Sequence, residues 1–277
     1  MCRLLGIVSP APSTVAGVVG ETTLTELTDL ARLHGDGWGM AAGGAGLEPS
    51  VQVSALPANT DAQFGAAVHT GASTASVVHL RWATSGMRVE PQNSHPFTAQ
   101  GIAFAHNGSL RPVETLDTLL TDAERAALHG TTDSERYFML VRRHRASSPD
   151  LGTAVLAAVA ELRAHFPVSS LNALVLDEHQ LVAVHASATA VLPADDLDEM
   201  QSACMPAEHV EDYFGLRLRH GADGSVVIGS TGFGSAESAD PAQGGQWQGG
   251  WEQLEPESVT VVDLATRAVR TLQLAPA

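Results

Sequence analysis

Apolar positions along this chain follow two periods, and the switches between them outline the elements. Residues 3–8 (RLLGIV) form a short apolar run stopped by Ser9 and Pro10, which predicts a strand near the start. Leu24, Leu27, Leu30 and Leu33 recur every three residues and predict a core-packing helix over 23–33. A glycine-rich corner follows, His34-Gly35-Asp36-Gly37-Trp38-Gly39. Strands are predicted at 40–42 and 51–56 around a Gly43-Gly44-Ala45-Gly46 turn, which lacks the strand-to-helix setting of a dinucleotide loop. A short helix is predicted over 61–68. Two β-type segments, 76–82 and 101–106, flank a polar stretch rich in turn formers at 83–100.

Leucines at helical spacing over 113–128 predict a helical region. Thr132-Asp133-Ser134-Glu135 then reads as a capping box opening a helix that runs to about Arg145. Another helix is predicted over 153–165, between Pro149 and Pro167. Beyond it the pattern is mainly strand: 171–176, 181–185, 216–219, 226–228, 259–262 and 268–272, several joined by short turns with Asp or Gly. This order predicts an α+β fold with mainly antiparallel sheets rather than a βαβ alternation. Residues 234–250 (GSAESADPAQGGQWQGG) are small and polar apart from Trp247 and read as a flexible insertion loop. No repeat or linker divides the chain, so a single domain over 2–277 is expected.

Composition narrows the chemistry. All 15 basic residues are arginine, against 31 acidic ones, giving a formal charge of −16. The absence of lysine rules out Schiff-base, pyridoxal-phosphate, phosphate-loop and kinase-type mechanisms. The negative charge argues against nucleic acid or an anionic membrane as partner. No apolar stretch approaches a membrane span and no secretion signal is convincing, so a soluble, cytoplasmic protein is expected. Asn107-Gly108-Ser109 matches a glycosylation acceptor, which is empty in that setting. The two cysteines, Cys2 and Cys204, form neither a disulfide framework nor a zinc spacing. Cys204 is expected as a small buried hydrophobe. The twelve histidines show no metal-ligand spacing, so no metal and no cofactor are expected.

Cys2 differs. Removal of Met1 would leave a residue carrying both a thiol and an α-amine. An α-amine pKa of about 7.7–8.0 lets that amine take the thiol proton near neutral pH. Further along, Arg81 ends a β-run, Asn107 and Gly108 set a side-chain amide beside a backbone N–H, and Asp133 stands on the first turn of a helix.

In this order the motifs Met1-Cys2-Arg3, Asp36-Gly37-Trp38-Gly39, Arg81-Trp82-Ala83-Thr84, Ser94-His95-Pro96-Phe97, His106-Asn107-Gly108 and Thr132-Asp133-Ser134-Glu135 resemble the class II glutamine amidotransferases. The resemblance covers the first half of the chain. It implies a four-layer αββα sandwich of N-terminal-nucleophile hydrolase type with two mainly antiparallel sheets. It implies Cys2 as the nucleophile forming a γ-glutamyl thioester, and Asn107 and Gly108 as the oxyanion hole. Arg81 would bind the substrate α-carboxylate and Asp133 the α-ammonium, with Trp82 and Thr84 shaping the pocket. Gly37, Trp38, His95 and His106 would support the site; the terminal amine already fills the role of base that the two histidines suggest. Ser85 departs from the histidine of aminosugar-synthase relatives, which bears on α-carboxylate binding and not on the mechanism.

The chain resembles a stand-alone glutaminase-type domain, similar to ergothioneine-pathway γ-glutamyl hydrolases and to small amidotransferases of unassigned partner. Three readings follow. The first is an amidohydrolase acting on glutamine or a γ-glutamyl-amine; the second is a glutaminase subunit supplying ammonia to a synthase partner; the third is a catalytically silent γ-glutamyl-binding module. The substrate is a small molecule in each, and both a synthase partner and a homo-oligomer remain open.

Overall fold

A computed structural model describes residues 2–83, 88–234 and 246–275. The chain begins β1 (Cys2–Ser13), α1 (Val15–Val19), α2 (Glu21–Asp29), β2 (Trp38–Gly44), β3 (Leu47–Ser54), α3 (Ala62–Thr70) and β4 (Ser73–Arg81). It continues with β5 (Phe97–Ala99), β6 (Ile102–Asn107), α4 (Val113–Leu119), α5 (Asp122–Ala126), α6 (Asp133–Ser147) and α7 (Leu151–His165). After these come β7 (Asn172–Leu176), β8 (Gln180–His185), α8 (Ala194–Ser202), α9 (Ala207–Glu211), β9 (Leu216–Gly221), β10 (Val226–Ser230), β11 (Trp247–Gln253), β12 (Ser258–Asp263) and β13 (Val269–Gln273).

The strands form two sheets, ordered β11-β9-β10-β1-β4-β2-β3 and β13-β12-β8-β7-β6-β5. Every pairing described is antiparallel, β1 with β4 and β6 with β7 among them. Side-chain alternation then sorts the residues into three cores. Leu4 and Val8 of β1 point at the second sheet, where they meet Ala105, Leu174 and Ala183. Leu5 and Ile7 point the other way, into a core with Leu24, Leu27, Leu30 and Trp38. On the far side Phe104, Val175 and Val182 pack against Tyr137, Leu140 and Val155 of the helices. Layers therefore run helix, sheet, sheet, helix, and both sheets are covered on both faces. That is why β1 reads as a continuous apolar run rather than an alternating one. Each fully buried leucine in these layers contributes about 1.5–3 kcal/mol relative to exposure.

Several local expectations change. The helical region over 113–128 divides into α4 and α5, with Thr121 and Glu124 making a full capping box at the second. At α6 only half of the expected box forms. The Thr132 hydroxyl accepts from the Glu135 N–H at 3.1 Å, but the Glu135 carboxylate accepts instead from His129 and Gly130 N–H groups. The loop before the helix offers two backbone donors there, so Glu135 bonds them instead of the Thr132 N–H. Cys204 is exposed, not a core residue. It sits just past the end of α8 with φ of 50°, outside the packed face that holds Met200. Of the expected loop over 234–250, residues 235–245 lie outside the described residues. Its final part, from Trp247, belongs to β11 at the sheet edge, where Trp251 Nε1–H donates to the Gly234 carbonyl at 2.6 Å. The cations of Arg219 and Arg217 lie over the Trp247 and Trp251 rings, 4.5 and 4.9 Å from their centroids. That packing outweighs the glycine-rich composition of the segment.

Candidate active site

Three strand ends converge at one rim of the space between the sheets. Cys2 opens β1 and lies opposite Arg81, the last residue of β4. Leu4 lies opposite His79, so the period of two puts Cys2, His79 and Arg81 on the same inner face. Asn107 ends β6 in the facing sheet, two residues beyond the inward Ala105. Cys2 is buried, at 6% exposure, and Asn107 at 1%.

The geometry joins the two sheets at this point. The Cys2 nitrogen donates to Asn107 Oδ1 at 2.9 Å. This fixes the amide so that Nδ2, a donor, faces away from that bond, and Nδ2 is buried with no partner among the described residues. An orphaned buried donor costs about 1–3 kcal/mol, so an acceptor arriving there would be strongly held. The Asn107 carbonyl accepts from the Ser170 hydroxyl at 2.7 Å. Gly108 follows at once. A β-carbon there would lie 2.0 Å from the Ser170 carbonyl oxygen and 2.6 Å from His106 Nε2, so no side chain fits.

Asp133 caps this loop from the other side. It is buried, and its Oδ2 accepts from the Leu110 N–H at 2.6 Å. Among the described residues Oδ1 has no hydrogen-bond partner. Arg81 is buried too, donating to the carbonyls of Asp36 at 3.3 Å and Arg88 at 3.2 Å. Around it the Asp36-Gly37 corner is stitched to β4. Asp36 N–H donates to the Arg81 carbonyl, Arg81 N–H to the Gly37 carbonyl, and Ala83 N–H to Asp36 Oδ2. Gly37 has φ of 123° and a β-carbon there would meet the Ser54 carbonyl at 2.5 Å, which is why the corner needs glycine.

The remaining candidates lie around this cluster. Trp38 is fully buried and donates from Nε1 to Asp61 Oδ2 at 2.9 Å; Asp61 also accepts from Ser54 and caps α3. Those bonds hold the Asp61 carboxyl below its usual range, the Ser54 contact first. Trp82 turns outward, its ring edge-on to His34 at 5.7 Å. Thr84 lies outside the described residues. His106 also points away from Cys2. Its Nδ1 pairs with the Ser134 hydroxyl at 2.9 Å and its Nε2 with the Ser170 carbonyl at 3.1 Å, so both nitrogens are occupied on the helix side of the second sheet. His95 is inward, its Nδ1 3.0 Å from His79 Nε2. Burial drives both of these imidazoles well below their ordinary pKa, with the Arg81 charge adding to the effect, so both are neutral at pH 7.

Residues that the sequence did not flag complete the frame. Arg3 is fully buried and donates to the Cys2 carbonyl at 2.7 Å and to the Thr231 and Tyr213 carbonyls. Tyr213 adds its hydroxyl to the Cys2 carbonyl at 3.4 Å. Arg3 was visible within the Met-Cys-Arg run; Ser170, Tyr213 and His79 carried no local signal. Cys2, His79 and His95 each also place one metal-ligating atom within 4.8 Å of the others, a grouping that sequence spacing did not indicate.

Two layers of helices enclosing two antiparallel sheets, with a cysteine opening the central strand, define the N-terminal-nucleophile hydrolase class of fold. A structure of a glutamine aminotransferase class-II domain protein from Silicibacter pomeroyi matches it over 99% of this chain and 100% of its own, with a TM-score of 0.62 and 19% identity. The glutamine phosphoribosylpyrophosphate amidotransferase of B. subtilis matches over all of this chain and 50% of its own, with a TM-score of 0.64 and 15% identity. In sequence, the pattern of the family described as "Glutamine amidotransferases class-II" matches residues 1–195, and the chain belongs to that family. Among curated relatives, the isomerizing glutamine–fructose-6-phosphate aminotransferase of Gloeobacter violaceus is 32% identical over 215 residues, 75% of this chain and 32% of that protein. Its counterpart in Mycobacterium bovis is 32% identical over 169 residues, 58% of this chain and 26% of that protein. The chain thus spans about a quarter to a third of the length of these two relatives.

Proposed function

We propose that this protein is an amidohydrolase that cleaves the γ-amide of glutamine or of a γ-glutamyl-amine through a thioester on Cys2. One observation carries the reading: the Asn107 amide is oriented by the Cys2 nitrogen so that its buried NH₂ group has no partner. An oxyanion forming as sulfur adds to a carbonyl beside Cys2 would supply the missing acceptor.

With Met1 removed, the Cys2 nitrogen is an α-amine rather than an amide, still within reach of Asn107 Oδ1. It takes the thiol proton as Sγ bonds to the γ-carbonyl carbon. Negative charge moves to the carbonyl oxygen, held by Asn107 Nδ2 and the Gly108 N–H. Collapse of this intermediate breaks the C–N bond, and the α-ammonium returns its proton to the departing ammonia or amine. Water, deprotonated by the same amine, then adds to the thioester and releases glutamate and the thiol. Arg81 binds the α-carboxylate by its planar fork and Asp133 Oδ1 the α-ammonium, with Thr84 and the backbone at Trp82 shaping the pocket. Gly37, Trp38, His95 and His106 hold these groups in place.

The test is glutamate release from glutamine and a panel of γ-glutamyl amides, with mass spectrometry of the N-terminus. Met1 should be absent, and Cys2→Ala should abolish release while leaving the thermal transition within a few degrees. Hydrolysis that survives in Cys2→Ala overturns the reading. A second reading, ammonia supply to a synthase partner, is favoured by the length of the curated relatives, of which this chain matches only a part. It predicts weak glutaminase activity alone and strong stimulation by a partner; comparable rates across all amides would count against a dedicated conjugate hydrolase. Among the described residues no helix is long and apolar enough to cross a membrane.

A further inference from the structure

We infer that Cys2, His79 and His95 form a binding site for a thiophilic divalent cation of the zinc class, and that such a cation silences the nucleophile by occupying it. One ligating atom of each residue lies within 4.8 Å of the other two, and all three side chains are buried. A tetrahedral zinc with bonds of about 2.0–2.3 Å sets its ligands about 3.3–3.6 Å apart. The His79–His95 nitrogens at 3.0 Å need open only slightly, and the thiol closes by little more than an ångström.

The donor chemistry fits the same class of ion. His95 Nδ1 accepts from the His106 N–H at 3.4 Å, so it presents a lone pair, and the proton of the shared His79–His95 bond sits on His79 Nε2. His79 is fully buried and its Nδ1 has no partner among the described residues, so the Nε2 proton can pass to Nδ1 and leave Nε2 a lone pair for an ion. Sulfur and two imidazoles select Zn²⁺, Co²⁺ or Cu²⁺ over Mg²⁺ and Ca²⁺, which need oxygen ligands. In the processed chain the α-amine of Cys2 adds a fourth donor in a five-membered N,S chelate. Ligation displaces the thiol proton and, where the amine is charged, the extra proton of the α-ammonium; both leave to solvent, and the metal–sulfur bond holds the pair of electrons that would attack a carbonyl. The Arg81 guanidinium on the same inner face opposes binding. The thiolate offsets it, and a substrate that brings its carboxylate to Arg81 takes the space, so metal and glutamine compete.

Loss of activity on metal binding rests on the proposed role of Cys2; ligation itself does not, and the experiment reads it without turnover. Processed enzyme is titrated with Co²⁺ and Zn²⁺. One equivalent of Co²⁺ should produce thiolate-to-metal charge-transfer absorption, absent in Cys2→Ala. His79→Gln and His95→Gln should each weaken binding at least tenfold, with circular dichroism confirming that both fold. Wild-type protein supplies a check that needs no variant: Zn²⁺ should slow iodoacetamide alkylation of Cys2 while exposed Cys204 reacts at an unchanged rate. Mg²⁺ should do neither. Absence of charge transfer, equal protection of both cysteines, or folded glutamine variants that bind like wild type would overturn the site. Charge transfer and protection in a protein that hydrolyses neither glutamine nor any γ-glutamyl amide would uphold the site and overturn the proposed function.

Discussion

Two histidine pairs sit on opposite faces of the same strand ends, and they do different things. On the inner face His79 and His95 lie 3.0 Å apart beside Cys2, Arg81 and Asn107. On the outer face His34 and His209 lie 3.3 Å apart, boxed by Trp82, Tyr213 and Arg3. Both pairs are fully or almost fully buried. Burial also drives His209 down to about 2, so it is neutral in the folded protein, like the inner pair. A buried histidine pair is therefore not in itself a sign of chemistry. What separates the pairs is the company on each face. The inner one meets a thiol, an unpartnered amide NH₂ and the Arg81 guanidinium. The outer one meets aromatic rings and the Arg3 guanidinium, which spends itself on three carbonyls, Cys2 among them. On the proposed function the inner face acts on the substrate, while the outer face fixes the backbone of β1 through Arg3.

The sharpest way to break this contrast is Asn107→Ala. It should lower kcat for glutamine hydrolysis by about 10²–10³, the usual cost of one oxyanion donor, with Cys2 still present and the protein folded. Steady-state kinetics beside a thermal melt decide it; a loss of stability without a fall in kcat would make Asn107 a mere strut. Next, Arg81→Lys should raise KM for glutamine by about 10–100-fold, the value of a charge-assisted hydrogen bond pair, with a smaller effect on kcat. An equal fall in kcat at unchanged KM would place Arg81 outside the α-carboxylate site.

Acid should treat the two faces alike. His79, His95 and His209 are held neutral when folded, but protonate near pH 6.5 when unfolded. Below that pH the unfolded state binds more protons, so stability is complete above about 6.5 and declines as the pH falls. Each histidine contributes up to about 1.4 kcal/mol per pH unit. Urea titrations from pH 7 to pH 5 measure the slope, and His209→Gln and His95→Gln should flatten it by similar amounts. The smallest expected effect on turnover is that of His209→Gln, which should leave kcat/KM within a few-fold while lowering the melting temperature by several degrees. A large kinetic loss there would erase the distinction between the faces.

Much of the fold was legible because each layer imposes its own period. The stripe at Leu24, Leu27, Leu30 and Leu33 is buried in the outer core, and the β-runs around residues 3–8, 76–82 and 101–106 became β1, β4 and β6. Where local preference and tertiary contact disagreed, the contact won. The glycine-rich segment after Trp247 became a strand because arginines of β9 stack on its tryptophans. Glu135 left its capping position for two loop N–H groups, and Cys204 came to the surface at a helix end.

By itself the sequence determined which residues could carry the chemistry. A cysteine at position 2, an Asn-Gly pair at a strand end, an arginine at another and an aspartate in a first helical turn are signals written within a few residues each. Which way those groups face was decided only by the tertiary structure. Pairing of Cys2 with Arg81, and of Leu4 with His79, puts a distant histidine beside the thiol. His106, one residue before Asn107, is turned to the opposite side of its sheet. The reason is the pleat: neighbours along a strand point to opposite faces, while residues remote in sequence share one, and only the register between strands says which.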